Sequence, residues 1–183
     1  MRAENPDNVH DSLDLSKYRE SWTSRDGRTV ILRPITSEDK QIEKELIDGL
    51  SSQSSRYRFF HAIKEATEEM VNQFCDIDYK NEVAIIAEYD PNGRKRNVGV
   101  VRLCIDPGLQ SGEFAILVAD NFQDSGLGTK FMETLLDIGR VRGLKRIYGI
   151  VLIDNHKMLT LAKEFGFNMS ASSDGEVAIS RQL

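Results

Sequence analysis

Apolar positions change their spacing several times along the 183 residues, and each change marks an expected element. Residues 1–24 are polar, broken only by Leu13, Leu15, Tyr18 and Trp22, and read as an arm that docks by its aromatic end. The domain itself is expected over residues 25–183. Asp26-Gly27 signals a turn, after which residues 29–32 form a short strand closed by Pro34. Ser37 is placed to cap a helix whose apolar stripe is Ile42, Leu46, Ile47 and Leu50. A second helix opens at Thr67, with Glu68 and Glu69 at the positive end of its dipole and Met70, Val71 and Phe74 on its apolar face. The serines from Ser51 to Ser55 and the run Arg56-Tyr57-Arg58-Phe59-Phe60 are assigned no element.

Beyond residue 82 the chain alternates between strand and helix. Residues 83–89 and 98–105 are β-branched and apolar, joined by the turn Asp90-Pro91-Asn92-Gly93. Residues 112–119 are apolar on both faces, the pattern of a central strand. Residues 126–142 carry Leu127, Phe131, Leu135, Ile138 and Val141 along one side of a helix, with Gly143 just past its end. Residues 146–153 form another strand and 155–165 a helix ended by Gly166. A final pair, 167–171 and 176–181, turns at Ser173-Asp174-Gly175. Strand 113–119, helix 126–142 and strand 146–153 make one βαβ unit with parallel strands. The earlier strands join by a short turn and are antiparallel. The expected fold is therefore α/β, a mixed sheet with helices on both faces.

Composition narrows the chemistry. The net charge of -5 argues against generic polyanion binding, nucleic acid included. The longest apolar stretch is strand-sized, so no membrane span is expected, and the first ten residues lack the apolar core of a secretory signal. Cys75 and Cys104 are isolated in apolar surroundings, which predicts buried reduced thiols in a cytoplasmic protein. His10, His61 and His156 show no metal spacing, so no metal is expected.

One segment carries chemistry of its own. Between the central strand and the long helix runs Asp120-Asn121-Phe122-Gln123-Asp124-Ser125-Gly126-Leu127-Gly128-Thr129. A glycine-rich loop that opens a helix presents unpaired N–H groups at the positive end of the dipole, and its glycines let a phosphate come close. A dinucleotide-binding reading needs Gly-x-Gly-x-x-Gly after the first strand. Here Gln123 occupies the first glycine position and antiparallel strands precede the unit, so that reading is rejected.

These residues resemble a known superfamily. Val118-x-Asp120-x-x-Gln123-x-x-Gly126-x-Gly128 is similar to the acyl-CoA pyrophosphate loop of the GNAT N-acetyltransferases, and Asn155 through Gly166-Phe167 resembles their second motif at the expected spacing. The strings Gly27-Arg28-x-Val30-x-Leu32-Arg33-Pro34-Ile35, Leu50-Ser51-x-x-Ser54-x-Arg56-x-Arg58-Phe59-Phe60, Ile77-Asp78-Tyr79 and Glu113-x-Ala115-x-x-Val118 further resemble Pat-type protein lysine acetyltransferases. Those enzymes often carry regulatory or synthetase-like domains; this chain is too short for either and is expected to be a free-standing catalytic domain.

The resemblance implies a GNAT-like fold, acetyl-CoA as cosubstrate and a set of roles. Amides from Gln123 through Asp124, Ser125, Gly126, Leu127 and Gly128 to Thr129 would hold the pyrophosphate. The edge of Ile116, Leu117 and Val118 would pair with the pantetheine arm between two splayed parallel strands, and Asn155 would hydrogen-bond that arm from the other side. Lys130 and Lys157 would reach the phosphates. Glu113 would act as general base, since an amine protonated at neutral pH must lose a proton before attack, and partial burial there would strengthen a carboxylate for that task. Asp78 would touch the acceptor, helped by an acidic strip of Glu65, Glu68, Glu69 and Asp76. Many family members place a tyrosine where this chain has Ala162, so the acid that protonates the leaving thiolate is unassigned; Tyr148 is a weak substitute. The expected reaction is direct acetyl transfer to a primary amine, first of all a lysine side chain of a protein such as an acyl-CoA synthetase. The alternatives are a polyamine or amino sugar acceptor, or a module that senses acetyl-CoA without turnover.

Overall fold

β-Branched and aromatic residues in apolar runs build the middle of the sheet. Strand β1 spans Glu20–Thr23, β2 Thr29–Pro34, β3 Glu82–Tyr89 and β4 Arg96–Ile105. Strand β5 spans Ser111–Val118, β6 Arg146–Leu152, β7 Asn168–Ala171 and β8 Glu176–Gln182. The computed structural model describes residues 15–171 and 174–183, and its strands form one sheet in the order β1-β2-β3-β4-β5-β6-β8-β7. Every neighbouring pair is antiparallel except β5 and β6, which are parallel. The expected mixed sheet is present, with its single βαβ unit.

Helices α1 (Lys40–Asp48), α2 (Ser52–Phe59), α3 (Glu68–Cys75), α4 (Leu127–Val141) and α5 (His156–Glu164) cover the sheet. Alternation along β3 divides the core between two faces. Ala84 and Ile86 point to a cluster with Ile35, Leu46, Ile47, Val71 and Cys75 beneath α1 and α3. Val83, Ile85 and Ala87 point the other way, to Phe131, Met132, Leu135 and Ile138 of α4. Each such large side chain taken fully out of water contributes about 1.5–3 kcal/mol.

Several elements differ from the sequence reading. Strand β1 lies inside the stretch expected as an arm and pairs with β2, so the sheet begins before the Asp26-Gly27 turn. Only Glu20 and Trp22 in it are half-buried, too few positions to print a two-residue period. Leu13 and His10, and Ser173 of the last expected turn, lie outside the described residues. The first helical turn is capped one residue earlier than expected, by Thr36, whose N–H donates to Asp39 Oδ2 at 2.7 Å. Helix α2 forms where the sequence pattern predicts no element. Ser51 caps it, its hydroxyl accepting from the Ser54 N–H, and its polar sequence carries almost no apolar stripe. Cys75 is buried as expected, but Cys104 is exposed.

Two buried polar networks clamp the helical layer to the sheet. Arg33 forks onto Asp39 through Nη1 and Nη2, at 2.8 and 2.7 Å, and reaches Glu88 through Nε at 2.9 Å. Glu43 of α1 accepts from Asn97 Nδ2 at 2.6 Å and from Arg102 Nη2 at 3.1 Å, while Arg102 also reaches Glu82 and the Phe74 carbonyl. Burial alone would raise the Asp39 carboxyl, but the hydrogen bonds from Arg33 and the Thr36 N–H outweigh it and hold the group below its usual 3.8.

Glu43→Ala leaves a buried guanidinium without its main counter-charge and is expected to cost about 3 kcal/mol. Urea unfolding checks this: the midpoint should fall, and an unshifted midpoint would refute the role of the pair. The depressed Asp39 carboxyl gives the other network a pH signature. Its contribution is complete above the unfolded-state value of 3.8 and is lost as the pH falls through the lower folded-state value. Asp39→Asn should therefore be less stable than the parent above the unfolded-state value and converge with it as the pH falls through the lower folded-state value, read from urea midpoints across the acid range.

Candidate functional site

The parallel ladder between β5 and β6 is short. It runs from Ser111 opposite Arg146 to Glu113 opposite Tyr148 and then stops. Beyond it the strands part, although β5 continues to Val118, bonded on its other edge to β4, and β6 continues to Leu152, bonded to β8. Gly149 is the first β6 residue past the fork, and a Cβ there would come 3.2 Å from the Phe114 carbonyl oxygen. The fork opens into a cleft of about 750 Å³. Ile116, Leu117 and Val118 form one wall, Gly149, Ile150 and Val151 the other. An unpaired strand edge facing a cleft offers N–H and C=O groups to any extended ligand that can lie along it.

The glycine-rich loop closes one end of this cleft, and Gln123, Asp124, Gly126, Gly128 and Thr129 all line it. Asp124 and Gly126 both have positive φ, 62° and 92°, and Gly126 is the N-cap of α4. Alternation of this kind turns successive N–H groups toward one side, the geometry of an anion-binding nest. Those of Asp124, Ser125, Gly126, Gly128 and Thr129 find no acceptor among the described residues. Two expected donors are already engaged: the Gln123 N–H bonds to Ala119 O at 3.1 Å, and the Leu127 N–H to Ser125 Oγ at 3.3 Å. Ser125 and Leu127 are buried beneath the loop and act as its base.

Helix α5 supplies the opposite end. Asn155 lines the cleft and caps the helix, its Oδ1 accepting from the Met158 N–H at 3.2 Å. Its Nδ2 has no partner among the described residues. Lys157 lines the cleft mouth and bonds to Asp124 Oδ2 at 2.8 Å. Lys130 is held elsewhere, its Nζ on Glu20 Oε1 at 2.6 Å, and does not line the cleft. Tyr148 also lies outside the lining, and its hydroxyl donates to Asp106 Oδ1 at 3.0 Å. His156 lines the cleft from the exposed start of α5, and no metal-binding cluster occurs among the described residues.

Glu113 sits at the crotch of the fork, in register with Cys104 and Tyr148, and is exposed. The expected partial burial is not present, because alternation along β5 puts Glu113 on an open face. Asp78 is not part of the cleft. Its carboxylate accepts from the N–H groups of Lys80 and Asn81 and so builds a turn before β3. The neighbouring Tyr79 donates its hydroxyl to the Ile35 carbonyl, so Ile77-Asp78-Tyr79 is a structural corner. Half of the acidic strip is compensated: Lys44 pairs with Glu65 at 3.0 Å and Lys40 with Asp76 at 2.7 Å.

Sequence reasoning assigned no element to α2 and no role to Arg25 in the β1–β2 turn. Asp120 ties α2 to the loop, accepting from the Ser51 N–H and hydroxyl and from the Ser54 hydroxyl. Burial tends to raise its carboxyl, but these bonds prevail and hold it below the usual range. From that anchor α2 reaches across the fork, where the Tyr57 hydroxyl donates to the Asp154 carbonyl at 3.0 Å and Arg56 pairs with the Asp154 carboxylate at 2.7 Å. Arg25 also lines the cleft, and a Cβ on Gly126 would come 3.3 Å from its Nε. The Ser51-x-x-Ser54 spacing was the available signal for α2.

Comparison with known proteins agrees with this geometry. Residues 50–167 match the model of the acetyltransferase (GNAT) family. An acetyltransferase of Pseudomonas aeruginosa is 32% identical over 86% of this chain and 85% of its own. A spermidine N(1)-acetyltransferase of Escherichia coli is 28% identical over 85% of this chain and 82% of its own. Among solved structures, the GNAT domain of S. lividans PAT superposes with a TM-score of 0.81 at 26% identity, covering 90% of this chain and 97% of that one. Fork, loop and comparisons together show that the chain belongs to the GNAT acetyltransferase family and is an acetyl-CoA-dependent N-acetyltransferase.

Proposed function

We propose that this enzyme transfers the acetyl group of acetyl-CoA to a lysine side chain of a protein, with Glu113 as general base. The observation that carries the donor half is the fork between β5 and β6 ending on a nest of unpaired N–H groups. The acceptor half is supported by the likeness to the S. lividans PAT domain and by the Pat-like Leu50-Ser51-x-x-Ser54-x-Arg56-x-Arg58 string. The two free cysteines fit a reducing cytoplasm. Among the described residues no helix is long and apolar enough to cross a membrane.

Chemically, the pyrophosphate rests on the N–H groups of Asp124, Ser125, Gly126, Gly128 and Thr129, with Arg25 and Lys157 at its flanks. The pantetheine arm lies along Ile116, Leu117 and Val118 as an added strand, and Asn155 Nδ2 donates to it from α5. Glu113 is three residues from Ile116, about 10 Å along the strand, a gap that an amine and one water span. The carboxylate takes a proton from the ammonium, directly or through that water. The freed nitrogen lone pair attacks the thioester carbon, a β5 N–H stabilises the oxyanion, and the C–S bond breaks to release the thiolate. Water relays the second proton of the attacking nitrogen to the thiolate, leaving the neutral amide, since the side chain at Ala162 has no acid and the Tyr148 hydroxyl is occupied by Asp106.

Acetylation of a small polyamine is the second reading, favoured by the likeness to spermidine N(1)-acetyltransferase. The paired state of Glu65 and Asp76 removes part of the acidic surface that such a cation would seek.

Thiol release from acetyl-CoA on folded lysine-bearing proteins and on free polyamines tests the acceptor: the proteins should be the better substrates, and turnover confined to polyamines would contradict the proposal. Glu113→Gln should lower kcat by at least about a hundredfold with acetyl-CoA affinity retained. An unchanged kcat would show that the base is elsewhere. Gly126→Ala forces a side chain into a φ of 92° and against Arg25. Coenzyme A affinity measured by calorimetry should drop about tenfold or more, and parent-like binding would dissociate the nest from cofactor recognition.

A further inference from the structure

Helix α2 brings one cation to the fork without giving it a counter-ion. Arg58 lines the cleft beside Tyr57 and Ala115. Among the described residues its guanidinium makes no hydrogen bond and no ion pair. It lies instead against aromatic rings, 4.9 Å from the centroid of Phe59 and 5.8 Å from that of Phe74. Other arginines contrast with it. Arg102 is held by Glu43 and Glu82, Arg56 by Asp154, and Arg33 by Asp39 and Glu88.

A guanidinium is a planar fork of five donors, shaped to meet both oxygens of a carboxylate. Packed on rings and half-buried, it has donors that the protein leaves to solvent. Burial is the main cause that pulls its pKa down to about 10, and repulsion from Arg102 adds to this; attraction from the Glu43 and Glu113 carboxylates only partly offsets them. The group stays charged at neutral pH, and a bound anion would relieve both penalties. Glu113 lies within electrostatic reach but beyond ion-pair distance, so an acceptor amine at Glu113 brings its own neighbouring groups toward Arg58.

We propose that Arg58 reads the acceptor, holding a carboxylate carried close to the reacting amine, namely the side chain of an acidic residue that flanks the target lysine. This rests on the acetyltransfer reading above. It also separates acceptor classes, because a polyamine brings a second ammonium to the place where Arg58 needs an anion.

Two acceptor sets test it with the full chain and acetyl-CoA, read as thiol release. One set is lysine peptides with Glu, Ala or Lys beside the target. The other is aminopentanoate, pentylamine and cadaverine, which share a chain length and differ in their far group. The Glu peptide should exceed the Ala peptide by about tenfold in kcat/KM, as expected for a charge-assisted hydrogen bond, with the Lys peptide last. Arg58→Gln should bring that ratio to about one and Arg58→Lys should keep part of it, both with acetyl-CoA affinity and melting temperature close to the parent. Peptides acetylated without this ranking, or a ranking that survives Arg58→Gln, would overturn the role of Arg58 and leave acetyl transfer to lysine intact. Silent peptides with an Arg58-dependent preference for aminopentanoate would uphold Arg58 and overturn the protein acceptor. Cadaverine ranked first, or no acceptor turned over in either set, would overturn both.

Discussion

The parting of two parallel strands governs the site. Strands β5 and β6 are joined only between Ser111 and Glu113, and the cleft opens past that point, with Glu113 at the junction. An open edge in the middle of a sheet leaves main-chain donors and acceptors without partners, a costly condition unless something fills the gap. Here the gap is lined on both sides by apolar residues and ends at the positive pole of α4. It therefore suits a ligand that is extended and amide-bearing in the middle and doubly anionic at one end. Acetyl-CoA has that form.

The surrounding structure keeps the fork open and stiff. Each diverging strand is bonded along its outer edge, β5 to β4 and β6 to β8, so neither can swing inward to complete the ladder. On one face α4 fixes the loop by burying Leu127, Phe131 and Met132. On the other, Glu43 and Arg102 lock α1 to β4. Helix α2 crosses the opening with Asp120 at one end and Asp154 at the other. Rigid walls reduce the entropy lost when a flexible ligand is ordered between them.

How much of this was legible in the sequence depended on whether a feature rests on local chemistry or on tertiary contact. The loop from Asp120 to Thr129 was legible because glycines where a strand meets a helix build an anion site from backbone alone, and the two-motif spacing supported it. Strands β3 to β6 were legible because they are buried and strongly apolar. Helix α2 was not, since it is held by hydroxyl caps and by Asp120, a residue far along the chain. Strand β1 was hidden for a similar reason, its pairing with β2 leaving only a faint mark on four residues. Asp78 and Tyr79 show a role that the sequence did not reveal: a motif shared with a family pointed to the acceptor, and the structure has both residues holding a corner outside the cleft. Glu113 was expected half-buried from apolar neighbours that prove to face alternate sides.

The central claim is that acetyl-CoA occupies the fork with its pyrophosphate on the loop. Backbone hydrogen exchange with and without coenzyme A examines it most directly, because the ligand would occupy the very N–H groups left free. Slowed exchange confined to residues 114–118 and 124–129 is the predicted result. Protection that leaves those two segments unchanged and falls elsewhere on the sheet would contradict the account.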